Sequence, residues 1–141
     1  APKKRRGIGI VPHFTDKDHR LVNELAKQKG VKIIDVERGG PEVCAEIAGC
    51  SVIFSSSLHG LIVADAFSIP NYRLVLNGNI IGGSFKFFDY ASAINRENIE
   101  ALQILDPEQI KSLAYMDYDH AYCENIGCVC TKLEAALKNV V

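Results

Sequence analysis

No apolar run in this 141-residue chain approaches the ~20 residues that a bilayer span needs, so a membrane-spanning helix is not expected. Nor is a secretory leader expected: the apolar stretch Gly7 to Val11 after the basic start is too short for an h-region, and strongly helical sequence does not follow it. Charge of one sign is scarce as well. Sixteen Lys and Arg against 17 Asp and Glu leave a net of −1, and 48% of residues are hydrophobic, which excludes the charged, core-less composition of a disordered chain. Internal repeats and low-complexity tracts are missing, so the chain reads as one globular domain. A basic platform for nucleic acid is missing too. Four of the basic residues are Lys3, Lys4, Arg5 and Arg6; the remaining 12 face 17 acidic residues, a net of −5. Residues 1–6 therefore read as a basic linker or chain end rather than a nuclear-type or heparin-type signal.

A disulfide framework is not expected either. Five cysteines are an odd number in a chain with an ordinary core, which fits reduced thiols in a cytoplasmic protein. Cys44 and Cys50 sit among apolar residues and read as small hydrophobes. Cys123, Cys128 and Cys130 are spaced C-x4-C-x-C, but no fourth ligand stands at a familiar spacing; His120 is the nearest, and no metal is expected.

What is present is an alternation of short apolar runs and amphipathic stretches. Gly7 to Val11 predicts a buried strand stopped by Pro12. Thr15 and Asp18 suggest a capping-box start for a helix that buries Leu21, Val22, Leu25 and Ala26 and ends at Gly30. Val31 to Val36 predicts a second strand. Gly39, Gly40 and Pro41 mark a turn into a helix with Val43, Cys44, Ile47 and Ala48 on its apolar face and Gly49 at its end. Ser51 to Phe54 predicts a third strand, Leu58 to Phe67 a helix that stops before Pro70, and Tyr72 to Leu76 a fourth strand. Asn77 to Gly83 reads as a loop, and Ser84 to Ile94, Pro107 to Tyr115 and Thr131 to Val140 as helices. The expected fold is α/β: a doubly wound, Rossmann-like parallel sheet over residues 7–141, with helices on both faces and residues 107–141 as C-terminal helices.

In such sheets ligands bind in the crevice beyond the strand C-termini. The residues delivered there are Pro12 and His13, Glu37 to Gly40, Ser55 to Gly60, and Asn77 to Gly83. The run Ser55-Ser56-Ser57-Leu58-His59-Gly60 carries the chemistry. A strand ends in three hydroxyls and a helix begins at once, with Ser57 or Ser56 as its N-cap. The free N–H groups and the positive helix end favour an anion. His59 adds a donor that takes charge near neutral pH, and Gly60 leaves room for a ligand to approach the backbone. The alternative is an ordinary capped helix with a solvated histidine. A serine-hydrolase reading of these hydroxyls with His59 lacks the G-x-S-x-G elbow and an orienting acid. His13 is expected at the same crevice, and Lys86 would add a cation; the plainer readings are a surface turn and a surface ion pair with Asp89. His19 and His120 read as solvated. Phe85, Phe87, Phe88 and Tyr90 read as core or inter-domain packing.

On these residues the sequence resembles the polysaccharide pyruvyl transferase family. Ser55 to Pro70 (SSSLHGLIVADAFSIP) is similar to the family's S-x-(R or S)-L-H-G strand–turn–helix signature, with Ser68 where a Gly is usual. Phe85-Lys86-Phe87-x-Asp89-Tyr90 resembles a later K-x-x-D-Y stretch, and Pro12-His13 the end of strand one. The resemblance spans Gly7 to Ile94. It implies a GT-B-like transferase of two facing doubly wound domains, of which this chain is the C-terminal, donor-binding one. It implies phosphoenolpyruvate as donor substrate, with no further cofactor, and transfer of its enolpyruvyl group to a sugar hydroxyl as a pyruvate ketal in exopolysaccharide or cell-surface glycan synthesis. Ser55, Ser56, Ser57, Gly60, His13 and Lys86 are then the expected donor-binding residues, and His59 the catalytic one. The acceptor, a sugar or lipid-linked oligosaccharide, would be held by a missing N-terminal domain, which would also carry the general base. The fragment alone is expected to be inactive. Its expected location is the cytoplasm, peripheral at the inner membrane face in a larger assembly. An exposed apolar face could pair two copies as a homo-oligomer. One rival is a nucleotide-sugar glycosyltransferase domain, for which Glu37 is the ribose-binding candidate. The other is a non-catalytic doubly wound module; a receiver-like one would need an acidic cluster where Pro12 and His13 stand.

Overall fold

In the computed structural model, which describes residues 4–76 and 84–127, the four apolar runs become strands. They are β1 (Ile8–Val11), β2 (Val31–Ile33), β3 (Val52–Ser55) and β4 (Asn71–Val75); a fifth, β5 (Leu102–Gln103), lies at the margin. Every pairing is parallel and the order is β2-β1-β3-β4-β5. The helices are α1 (Arg20–Ala26), α2 (Gly40–Ala48), α3 (Leu58–Ala66), α4 (Phe85–Ala93) and α5 (Pro107–Ala114).

Alternation along each strand divides the apolar side chains between two faces. Ile10, Phe54 and Leu74 pack with Leu21 and Leu25 of α1 and Ile110 of α5. Val11 and Ile53 point the other way, onto Val43 and Ile47 of α2 and Ala64 of α3. The α/β doubly wound, Rossmann-like class expected from the sequence is the one observed. Leu61 of α3 packs in turn on Phe87 and Ala91, which seats α4 against α3. Removing a fully buried leucine such as Leu21 or Leu61 from these layers costs about 2–5 kcal/mol, so burial fixes which face each helix takes.

Element ends differ from the sequence reading where polar side chains intervene. β2 stops at Ile33 because Asp35 accepts the Glu37 N–H at 2.9 Å and starts a 3-10 turn, Val36–Arg38. The Thr15–Asp18 capping box does not form. Phe14–Asp16 is a 3-10 turn instead, and α1 begins at Arg20 with His19 as its N-cap, the imidazole Nδ1 accepting the Leu21 N–H at 3.1 Å. His19 is thus a capping residue, not a solvated one. α5 opens with a full capping box, Asp106 with Gln109.

Cys44, Cys50 and Cys123 are free thiols, and burial pushes the Cys50 thiol above its usual range. The expected loop Asn77–Gly83, the helix at Thr131–Val140, Cys128, Cys130 and residues 1–3 lie outside the described residues. Among the described residues no helix is long and apolar enough to cross a membrane.

The lower part of α3 carries a buried polar cluster. Asp65 forms an ion pair with Arg96 at 3.1 Å, both side chains fully buried. The same carboxylate accepts from Asn71 Nδ2 at 2.7 Å, Tyr122 Oη at 2.6 Å and Tyr90 Oη at 2.8 Å. Arg96 also donates to the Asn71 side-chain oxygen at 2.7 Å and to the Asn71 carbonyl at 3.1 Å. This cluster ties the chain after α4 to α3 and β4.

Candidate functional site

The chain leaves β1 for β2 on one side, whereas β3 leads to β4 on the other, so the connections diverge above the β1–β3 pair. A crevice opens at such a reversal of strand order. The loop after β1 (Pro12 to Phe14) and the turn after β3 (Ser56 and Ser57) form its two sides. Ser56 bridges them: its Oγ accepts the His13 N–H at 2.8 Å and donates to Asp16 Oδ2 at 2.8 Å.

The three serines do different work. Ser55 is fully buried. Its Oγ accepts the Ser57 N–H at 3.0 Å and lies 2.9 Å from the Val11 carbonyl and 2.6 Å from the Ser57 carbonyl, one of which takes its proton. It holds the turn's shape from beneath. Ser57 occupies the N-cap position of α3, yet its side chain makes no capping bond. The first-turn N–H groups of α3 therefore lack the side-chain acceptor that usually serves them. The room left by Gly60 is taken by protein: a Cβ there would meet Ser55 Oγ at 2.4 Å and Val11 Cγ1 at 2.9 Å. Gly60 is present so that α3 can press onto the ends of β1 and β3, which is not the ligand clearance read from the sequence.

His59 is exposed in the first turn of α3. His13 is half-buried and turned back on its own loop. Its Nδ1 lies 2.8 Å from Thr15 Oγ1 and accepts the Thr15 N–H at 3.3 Å, while its ring rests on Phe14. Lys86 is exposed in the first turn of α4, its ammonium 5.5 Å from the Phe87 ring rather than paired with Asp89. Of the four aromatics in that helix only Phe87 is core. Phe85 and Phe88 are exposed, and Tyr90 donates to Asp65. Glu37, the ribose candidate of the nucleotide-sugar reading, is held by Lys17 at 2.6 Å, and Lys17 also pairs with Asp35 at 2.8 Å. Those bonds lower the Asp35 carboxyl and raise the Lys17 ammonium relative to their ordinary values.

Sequence reasoning missed Arg73. It is the register partner of Ser55 on β4, so the two side chains share a face of the sheet at the crevice end. Arg73 is 2% exposed. Its guanidinium stacks 3.9 Å from the Phe87 ring centre and donates to Ser84 Oγ at 2.9 Å, while Nε has no partner among the described residues. An arginine within the apolar run Tyr72 to Leu76 was the available signal. Asp16 was missed as well; it is buried and receives the Ser56 hydroxyl.

The crevice end of the sheet presents the N–H donors at the start of α3, the exposed imidazole of His59 and the buried guanidinium of Arg73, while the Asp16 carboxylate is taken up by Ser56. It suits a small oxyanion. No curated protein matches the chain. A family model for polysaccharide pyruvyl transferase does match it, over residues 3–77, which takes in β1 to β4 and the whole Ser55–Gly60 turn. The match covers more than half of the sequence, and the chain belongs to the polysaccharide pyruvyl transferase family.

Proposed function

We propose that this chain is the donor-binding part of a transferase that moves the enolpyruvyl group of phosphoenolpyruvate onto a sugar hydroxyl, leaving a pyruvate ketal. The observation that carries the reading is the open N-terminus of α3 at the β1–β3 crevice, with no side-chain cap, no acid in its first turn and an exposed histidine one residue in. A doubly ionised three-carbon donor supplies the negative charge that such a helix end favours.

The reaction needs a proton at the methylene carbon and charge stabilisation on the departing phosphate. Protonation of that carbon makes C2 electrophilic. One sugar oxygen bonds to C2 and loses its proton, the C2–O bond to phosphate breaks with the electron pair going to phosphate, and a second sugar hydroxyl bonds to C2 and gives up its proton to the departed phosphate, closing the ketal. His59 is assigned as the group that contacts the donor's anionic end and delivers the proton. The N–H groups of the α3 first turn and Ser57 would hold the phosphate, with Ser55 and Ser56 fixing the turn. His13 and Lys86 are the outer members of the set. The acceptor, a sugar or lipid-linked oligosaccharide, and the base that activates it belong to a facing domain.

A thermal-shift comparison of phosphoenolpyruvate with nucleotide sugars tests the donor on this chain. Stabilisation by phosphoenolpyruvate is expected; stabilisation by a nucleotide sugar alone would reassign the crevice to glycosyl transfer. His59→Ala in an active full-length protein is expected to abolish transfer, and turnover at the wild-type rate would remove His59 from the chemistry.

A further inference from the structure

We propose that Arg73 is a concealed anion anchor, a donor-binding residue that grips an oxyanion group of the ligand from beneath the crevice while the α3 N-terminus holds it from above. The proposal takes the ligand's identity from the donor reading; the presence of an anion is argued independently.

A buried guanidinium normally has a carboxylate beside it, because an uncompensated charge in the interior is costly. Arg73 has none among the described residues. Among the described residues its contacts are one neutral hydroxyl, Ser84 Oγ at 2.9 Å, and the rings of Phe87 at 3.9 Å and Phe88 at 5.9 Å, and Nε finds no acceptor there. Burial alone lowers the Arg73 pKa, the direction expected of a cation without a counter-ion.

The neighbouring helix ends deepen the deficit. Arg73 pairs in register with Ser55, three residues before α3 begins, and bonds to Ser84, the residue that precedes α4. Neither helix has an acidic residue in its first turn, and neither Ser57 nor Ser84 makes a side-chain cap. Two helix ends without a side-chain cap and one buried cation thus lie at this end of the sheet, and the buried Asp16 carboxylate beside the turn is bonded to Ser56 rather than to Arg73. The fold tolerates this arrangement at a cost that a bound anion removes. Ser84 is half-exposed and its hydroxyl stands where a stronger acceptor would sit, so binding displaces it from the guanidinium. A planar guanidinium suits a carboxylate or phosphate better than a hydroxyl.

The test is calorimetric titration of the chain and of Arg73→Met and Arg73→Gln with phosphoenolpyruvate and with inorganic phosphate, alongside thermal unfolding of each protein without ligand. Arg73→Met should weaken phosphoenolpyruvate binding at least about tenfold. It should also unfold, ligand-free, at the same temperature as the wild type or higher, because it removes an unpaired interior charge. A purely structural arginine would give the opposite pair of results, a lower ligand-free melting temperature and unchanged affinity, and that outcome overturns the proposal. If Arg73→Met does not fold, Arg73→Gln decides by the same two readings. If the wild type ignores phosphoenolpyruvate but binds inorganic phosphate through Arg73, the anchor stands and the donor assignment fails. If the wild type binds phosphoenolpyruvate and neither variant changes its affinity, the donor stands and the anchor fails. If the wild type binds neither, both fall.

Discussion

Arg96 and Arg73 are both buried, one bonded to β4 and the other part of it, but the first is saturated and the second is not. Arg96 faces the Asp65 carboxylate at 3.1 Å and spreads its remaining donors over Asn71 and Asn98. Among the described residues Arg73 has a hydroxyl, an aromatic face and an orphan Nε. The first environment is what a fold builds when a polar group must stay inside: every donor finds an acceptor. The second departs from that rule at the one edge of the sheet where a ligand is expected. Structural and functional polarity are told apart here by whether the protein completes its own hydrogen bonds.

The comparison is broken most severely from the saturated side. Asp65→Ala leaves Arg96 without a counter-charge and strands the donors of Tyr90, Tyr122 and Asn71, so a loss of about 3–5 kcal/mol is expected in urea unfolding. A near-neutral result would mean that the cluster is not tight. Tyr122→Phe removes a single donor to the charged carboxylate and should cost roughly 1.5–3 kcal/mol in the same measurement. Gly60→Ala probes the crevice from beneath. The added methyl collides with Ser55 and Val11, for an expected cost of about 1–3 kcal/mol and a loosened α3 start.

The tyrosines of the cluster also give a pH signature. Desolvation, then the Asp65 carboxylate, hold the Tyr90 and Tyr122 hydroxyls far above their ordinary value. A group whose folded-state pKa is raised contributes its full stability below the unfolded pKa and loses it as pH climbs beyond. Unfolding monitored from pH 8 upward should therefore show stability falling once pH passes about 10, the ordinary tyrosine value, and Tyr122→Phe should flatten that fall. The smallest effect belongs to the open helix end. Ser57→Asp supplies the acid that α3 lacks and should stabilise the ligand-free chain by about 0.3–1 kcal/mol while weakening anion binding.

The sequence revealed the parts of this molecule that depend on local pattern. β1, β3 and β4 are short apolar runs with turn residues after them, α2 carries its proline at the first turn, and the Ser55–Gly60 turn stands where the third strand meets its helix. β2 was read too long because Ile34 and Val36 continue the apolar run past Asp35, whose capping bond ends the strand. β5 has two residues and offers no period to detect. At the site, Ser55 and Gly60 were visible as residues but not in their roles. Which hydroxyl turns inward depends on how closely α3 approaches the strand ends. Arg73 was hidden because an arginine in a strand ordinarily points to solvent, and only the packing of Phe87 over it makes it internal. The Asp65 cluster joins residues as far apart as 57 positions, and no local window holds both.

One further property follows from the sheet's margins. Its outer strands are three and two residues long, and the three-residue one carries the exposed Lys32 at its centre. A foreign chain seeking main-chain partners finds few along either border, and on one of them meets a charge. Runaway stacking of sheet upon sheet is thereby discouraged at both borders.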